Sequence, residues 1–290
     1  MTAPPPAIRA FGVSFQNPVL LAAGTAGYGL ELDGVVDLDA LGGIVCKAVS
    51  REPRQGNRAP RVAEFPGGML NSVGLANPGL AQVRARELPA LVAHLRRARV
   101  LVNVVGFTVE EYAEVVAGLE EVEGIAAYEL NLSCPNTSAG GIEFGADAEC
   151  VRRIVSACRR VTHRGLAAKL SPVLPDIPAM AIAARDAGAD AISLVNTLPG
   201  FLFDGTGPRL GNGNGGVSGP VLLPVGVLAT ARVRERLDDI TIIGAGGIRT
   251  AGDARQYLRA GATLVAIGTA GLADPRLPGR VARDLERRNG

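Results

Sequence analysis

The chain has 290 residues, near the upper size for a single hydrophobic core, and 47% of them are apolar, enough to bury a substantial interior. Its 30 basic and 28 acidic residues nearly cancel, and aromatics make up only 4%, so neither a disordered chain nor a nucleic-acid-binding surface fits. The opening MTAPPPAIRA has no apolar core after a charged start, no apolar run reaches membrane-spanning length, and the four cysteines form no C-x-x-C pair, which reads as a reduced, cytoplasmic protein with no membrane segment.

Short apolar, β-rich runs follow one another along the chain. PVLLAAG (18–24) and GGIVCKA (42–48) come first and, after a long polar stretch, VLVNVVG (100–106). VEEYAEVVAGLEEV (109–122), with apolar residues at helical spacing, leads to AAYELNLSC (126–134). ECVRRIVSACRRV (149–161) leads in the same way to LAAKLSP (166–172). AISLVNT (191–197), ITIIGAGG (240–247) and LVAIGT (264–269) complete the set, with GDARQYLRAGA (252–262) before the last. Wholly apolar strands suit a parallel sheet covered by helices on both faces. Eight strand–helix alternations in a chain of this length predict an α/β fold, a (β/α)8 TIM barrel forming one domain over 1–290.

The one G-x-G-x-x-G match, GNGNGG (211–216), follows a polar stretch containing Gly and Pro rather than a strand. It reads as an irregular loop and not as a dinucleotide fingerprint. Two insertions, 50–78 and roughly 198–219, read as long loops rising from the C-terminal face of the barrel over a site.

Polar side chains close these otherwise apolar runs: Lys47, Asn103, Asn131, Cys134, Lys169, Asn196 and Thr197. A single buried polar residue is commonly satisfied by backbone. Seven at the same end of different strands point to a binding site, because desolvating amides and ammoniums without partners is costly. Of the 30 basic residues only Lys47 and Lys169 are lysines, so a compact ammonium stands just where strands end. Both read as functional. The other cysteines, Cys46, Cys150 and Cys158, read as buried small hydrophobes. The last two strands end in Gly, in GAGGIRTAG (244–252) and AIGTAG (266–271), each ahead of a helix-like segment. Backbone N–H groups and a helix N-terminus there can meet a phosphate.

The motifs NPVLLAAG, KAVSREPRQGN, GGMLNSVGLANPG, NLSCPN, AKLSP, NTLPG, GGVSGP, GAGGI and IGTA span nearly the whole chain. On them the chain resembles the class 1 dihydroorotate dehydrogenases, FMN-containing barrels of pyrimidine (UMP) synthesis. The resemblance implies oxidation of dihydroorotate to orotate, with Cys134 as the base that takes the C5 proton while hydride passes from C6 to N5 of FMN. The membrane-associated class 2 enzymes use a serine at that position. By the same resemblance FMN is held by Ala23, Lys47, Ala48, Asn103, Asn131 and Lys169. Val195, Gly219, Gly246, Gly247, Gly268 and Thr269 complete that set, the two Gly loops taking the phosphate. The substrate falls to Lys47, the loop of Asn71, Ser72, Val73, Gly74 and Leu75, and Asn131, Asn136, Asn196 and Thr197. Ala23 departs from the serine that many members carry, which removes a side-chain contact to the flavin.

GGIEFG (140–145) is similar to class 1B, in which a homodimer of catalytic subunits joins two FAD and 2Fe–2S electron-transfer subunits in a heterotetramer and electrons reach NAD+. This chain has neither an iron–sulfur cysteine spacing nor a dinucleotide fingerprint of its own. A class 1A enzyme reducing fumarate and an FMN barrel acting on another dihydropyrimidine are the nearest alternatives. A Schiff-base barrel using Lys47 or Lys169 as nucleophile is the rival from a different class.

Overall fold

The computed structural model describes residues 8–133, 135–136, 142–205 and 207–287, with backbone alone at 135–136 and 142–144. Eight parallel strands close into a barrel: β1 (Val19–Leu21), β2 (Gly43–Val49), β3 (Arg99–Val104), β4 (Ile125–Asn131), β5 (Gly165–Leu170), β6 (Ala191–Leu194), β7 (Thr241–Ala245) and β8 (Leu264–Ile267). Each strand pairs with the next, and β8 returns to β1 through Val265 opposite Val19 and Ile267 opposite Leu21. All eight apolar runs are strands, and the (β/α)8 TIM barrel is the fold.

The helices form because their apolar residues fall on one stripe. Val109–Leu119 buries Tyr112, Val115, Val116 and Leu119. Ala148–Arg159 buries Val151, Ile154, Val155 and Cys158 in the same rhythm. Each such Val or Ile is worth roughly 1.5–3 kcal/mol of burial. Caps fix where they start: Thr108 accepts from the Glu111 N–H, and Asp147 from the Glu149 N–H. The first crossover is the exception. Between β1 and β2 only the single 3-10 turns Leu30–Leu32 and Leu38–Ala40 appear, because Gly27, Gly29 and Gly34 sit at positive φ and break any helix.

Inside the barrel an apolar plug joins Leu20, Val45, Leu101, Ala127, Ala167 and Ile243 to Phe15, which is fully buried. Phe15 comes from the short hairpin of Ile8–Ala10 and Val13–Phe15, whose residues pack into this same cluster. The interior is therefore filled below the site.

The two insertions differ from the expected loops. Leu198–Phe201, Asn214–Ser218, Gly68–Asn71 and Val62–Phe65 form one four-stranded antiparallel sheet, two strands from each insertion. The GNGNGG stretch thus enters a strand. Its glycines read as loop formers in the sequence but serve close approach: a Cβ on Gly215 would run into the Asn71 carbonyl, and one on Gly216 into the Thr197 side chain. Ser218 Oγ and Thr269 Oγ1 are 2.8 Å apart, which ties this sheet to the segment after β8.

Candidate active site

Alternation along a strand sends every second side chain into the barrel. On β2 that sequence runs Val45, Lys47; on β3, Leu101, Asn103; on β5, Ala167, Lys169; on β6, Ala191, Ser193. On β4 it runs Ala127, Glu129, Asn131. Above the apolar plug the interior therefore turns polar at the C-terminal ends of five adjacent strands.

Two of these residues escaped the sequence reading. Glu129 is buried, 1% exposed, and gathers its neighbours. Its Oε1 accepts from Asn103 Nδ2 at 2.7 Å and lies 3.4 Å from Lys169 Nζ, and its Oε2 accepts from Ser193 Oγ at 2.8 Å. The signal was present: counting back two from Asn131 lands on Glu129, and Ser193 interrupts AISLV in the same way. Lys169 is therefore ion-paired, whereas the Lys47 ammonium has no ion pair or hydrogen bond among the described residues.

Higher in the mouth, Asn131 Oδ1 accepts from Asn196 Nδ2 at 3.2 Å, and the Asn131 carbonyl accepts from Tyr112 OH at 2.6 Å, so the first helix after β3 steadies this residue. Asn196 turns its own Oδ1 to the Thr197 N–H at 2.8 Å. The segment of Asn71, Ser72, Val73, Gly74 and Leu75 leaves the insertion sheet, where Asn71 Nδ2 donates to the Gly216 carbonyl. Asn57 and Asn77 hold it in shape. Asn57 Nδ2 donates to Ser72 Oγ at 2.7 Å. The buried Asn77 donates to Leu75 O and Ser50 Oγ and accepts from the Ser50 and Gly79 N–H groups. That Ser50 follows β2 directly, so the segment is bound to the rim of the barrel. Leu75 adopts φ +57°, a left-handed conformation fixed by these contacts.

A flavin mononucleotide needs hydrogen-bonding groups for its ring, a cation near its pyrimidine side and amide donors for its phosphate. The donor set here fits. Asn103 Oδ1 is a buried acceptor without a partner among the described residues. Gly246 and Gly247 follow β7 at φ +121° and +75°, and a Cβ on Gly247 would come within 2.5 Å of the Leu223 nitrogen, so only glycine fits that turn. No side chain caps the turn that starts at Thr269 after Gly268. The helix Ala251–Arg259 behind the turn of Gly246 and Gly247 starts with a capping box, in which Thr250 Oγ1 accepts from the Asp253 N–H and the Asp253 carboxylate accepts from the Thr250 N–H. Ala23 and Ala48 lie partly and fully buried around the mouth, with Val195 buried after β6 and Gly219 at φ +97° after the insertion sheet. Cys134 lies outside the described residues, as does the side chain of Asn136.

Burial pushes the Cys46 thiol up to about 12, with Glu31 adding to it, and pushes Cys158 likewise up to about 12. Both are inert packing residues, as their apolar settings require.

The family model for dihydroorotate dehydrogenase matches residues 7–288. The chain belongs to the dihydroorotate dehydrogenase family. The reaction that names this family is the oxidation of dihydroorotate, and its members are flavin-dependent. The chain is 48% identical over 276 residues to a Solibacter usitatus protein provisionally named dihydroorotate dehydrogenase A (fumarate), covering 94% of this chain and 90% of that one. It is 44% identical over 278 residues to the Pelobacter propionicus dihydroorotate dehydrogenase B (NAD(+)), catalytic subunit, covering 95% and 90%. The fold of a solved DHODH from Eimeria tenella, in complex with ferulenol, superposes with a TM-score of 0.80 at 23% identity, over 96% of this chain and 83% of that one. Among the described residues no helix is long and apolar enough to cross a membrane.

Proposed function

We propose that this chain converts dihydroorotate to orotate with FMN as its flavin and Cys134 as the base, acting as one domain over 1–290. The observation that carries the reading is the polar layer above the barrel plug, with a Lys47 ammonium and an Asn103 oxygen that have no partner among the described residues, in a chain of this family. Bound FMN supplies a two-electron acceptor for the hydride that leaves C6 of the substrate. The residues that would hold it are Lys47, Asn103, Asn131, Lys169 and the backbone at Ala23, Ala48, Val195 and Gly219, and Gly246, Gly247, Gly268 and Thr269 would take its phosphate.

Lys47 meets the substrate carboxylate as a point charge. The carboxamides of Asn71, Asn131, Asn136 and Asn196 present both donors and acceptors, which matches a ring that carries N–H and C=O groups side by side; Ser72, Val73, Gly74, Leu75 and Thr197 complete the contact. Cys134, as thiolate, takes the C5 proton while the hydride departs from C6, so the two electrons and both hydrogens are accounted for. Replacing Cys134 by Ala is expected to leave the flavin in place and slow its anaerobic bleaching by dihydroorotate on the order of 10²–10⁴-fold. Bleaching at the wild-type rate contradicts the role of Cys134.

The electrons pass to NAD+ through a separate FAD and 2Fe–2S subunit, in a heterotetramer built on a homodimer of this cytoplasmic chain. The support is the name shared by several relatives at 41–45% identity, the NAD(+)-linked catalytic subunit. The 48% relative named for fumarate favours a second reading, in which fumarate reoxidises the flavin with no partner. Reoxidation by fumarate of the reduced chain alone separates the two.

A further inference from the structure

Beneath the residues assigned to flavin and substrate lies a carboxylate that neither role uses. Glu129 comes from mid-β4, and β3, β5 and β6 each bring it one donor: Asn103 Nδ2 at 2.7 Å, Lys169 Nζ at 3.4 Å and Ser193 Oγ at 2.8 Å. Stability alone does not call for it. Desolvating a carboxylate costs several kcal/mol, and a well-packed apolar side chain is commonly as good or better in such a place. The plug just below is apolar, with Ala127 and Ala167.

An apolar residue would not, however, orient the neighbours. A carboxylate only accepts, so it forces Asn103 to present its NH2 inward, which turns Asn103 Oδ1 away. That oxygen is one of three buried side-chain atoms without a hydrogen-bond partner among the described residues, with Ser133 Oγ and Ser171 Oγ. Glu129 likewise sets its negative charge against Lys169, one of only two lysines in the chain. In the interior such a pair is screened far less than at the surface.

We infer that Glu129 is a positioning residue that fixes Asn103 as an acceptor for the flavin ring and offsets the Lys169 charge, holding the potential of the bound flavin below the value Lys169 alone would set. The inference rests on the flavin site proposed above. Reduction adds negative charge to the flavin, so an uncompensated ammonium favours the reduced form, and removing the carboxylate has the same effect.

The test is a dye-linked redox titration of the FMN-loaded protein. Glu129→Gln keeps the shape and removes the charge; the expected result is a reduction equilibrium shifted at least tenfold toward reduced flavin, about 30 mV for a two-electron couple. Glu129→Asp keeps the charge, and its potential is expected to stay near wild type even where FMN binds more weakly. A purely structural role moves both variants together, and that result, or an unmoved potential in Glu129→Gln, overturns the inference. If Glu129→Gln does not load FMN, Ser193→Ala decides. With that donor gone the carboxylate acts more fully on Lys169 and the potential falls, whereas an unchanged potential overturns the inference. Wild-type protein that takes up no FMN removes the flavin reading, and this inference with it.

Discussion

At the scale of single residues, the two lysines have separate tasks. Lys169 is paired with Glu129, while the Lys47 ammonium has no partner among the described residues. Lys47→Met is therefore expected to weaken dihydroorotate binding at least tenfold while leaving a dihydropyrimidine without a carboxylate, such as dihydrouracil, nearly unaffected. Titrating flavin bleaching with each substrate checks this, and equal losses contradict the pairing. Away from the site, Asp39 ties the turn before β2 to the loop before β3. Burial alone would raise its carboxyl, but the N–H groups of Ala98, Arg97 and Arg96 at 2.8, 2.7 and 3.1 Å, with the Arg97 guanidinium, outweigh it and hold the group below the usual carboxylate range. A depressed carboxyl stabilises the fold above its unfolded value of about 3.9, and that contribution is lost as pH falls through the folded value. Asp39→Asn is expected to cost about 1 kcal/mol in urea unfolding at neutral pH, with the gap closing in acid. A gap that persists unchanged below the carboxylate range contradicts the assignment. The lysines were legible in the sequence because an Arg-rich chain made them stand out. Glu129, Asn57 and Asn77 were not, because a Glu or Asn in a sequence does not reveal whether it meets solvent or three buried donors.

At the scale of elements, the barrel strands were legible because a strand covered on both faces is apolar throughout, and that signal is local. The insertion sheet was not. Its strands come from residues more than a hundred positions apart, Asn71 opposite Gly216, and their glycine-rich sequences serve close approach rather than propensity. The glycine turn after β7 was legible as a phosphate candidate because adjacent glycines close an apolar run. Gly247→Ala is expected to strain a backbone held at φ +75° against Leu223 and to reduce FMN retention on gel filtration at least tenfold, with the barrel still folded by circular dichroism. Full FMN content in that variant contradicts the phosphate assignment.

At the scale of the whole molecule, a barrel filled from below by Phe15, with the insertion sheet tied to the segment after β8 through Ser218 and Thr269, carries a polar mouth at its strand ends. The proposed oxidative half-reaction fits that mouth, and the one G-x-G-x-x-G match, GNGNGG, enters an insertion strand instead of following one into a helix. On the proposed reading the work is divided: this chain takes electrons from dihydroorotate, and another protein delivers them to NAD+. The decisive measurement is an anaerobic visible spectrum of the purified chain, before and after dihydroorotate, with NAD+ added last. The expected result is a flavin spectrum that bleaches with dihydroorotate and does not recover with NAD+ until the partner subunit is supplied. A flavin that stays oxidised in the presence of dihydroorotate, in protein that is folded and loaded, contradicts the proposed oxidation.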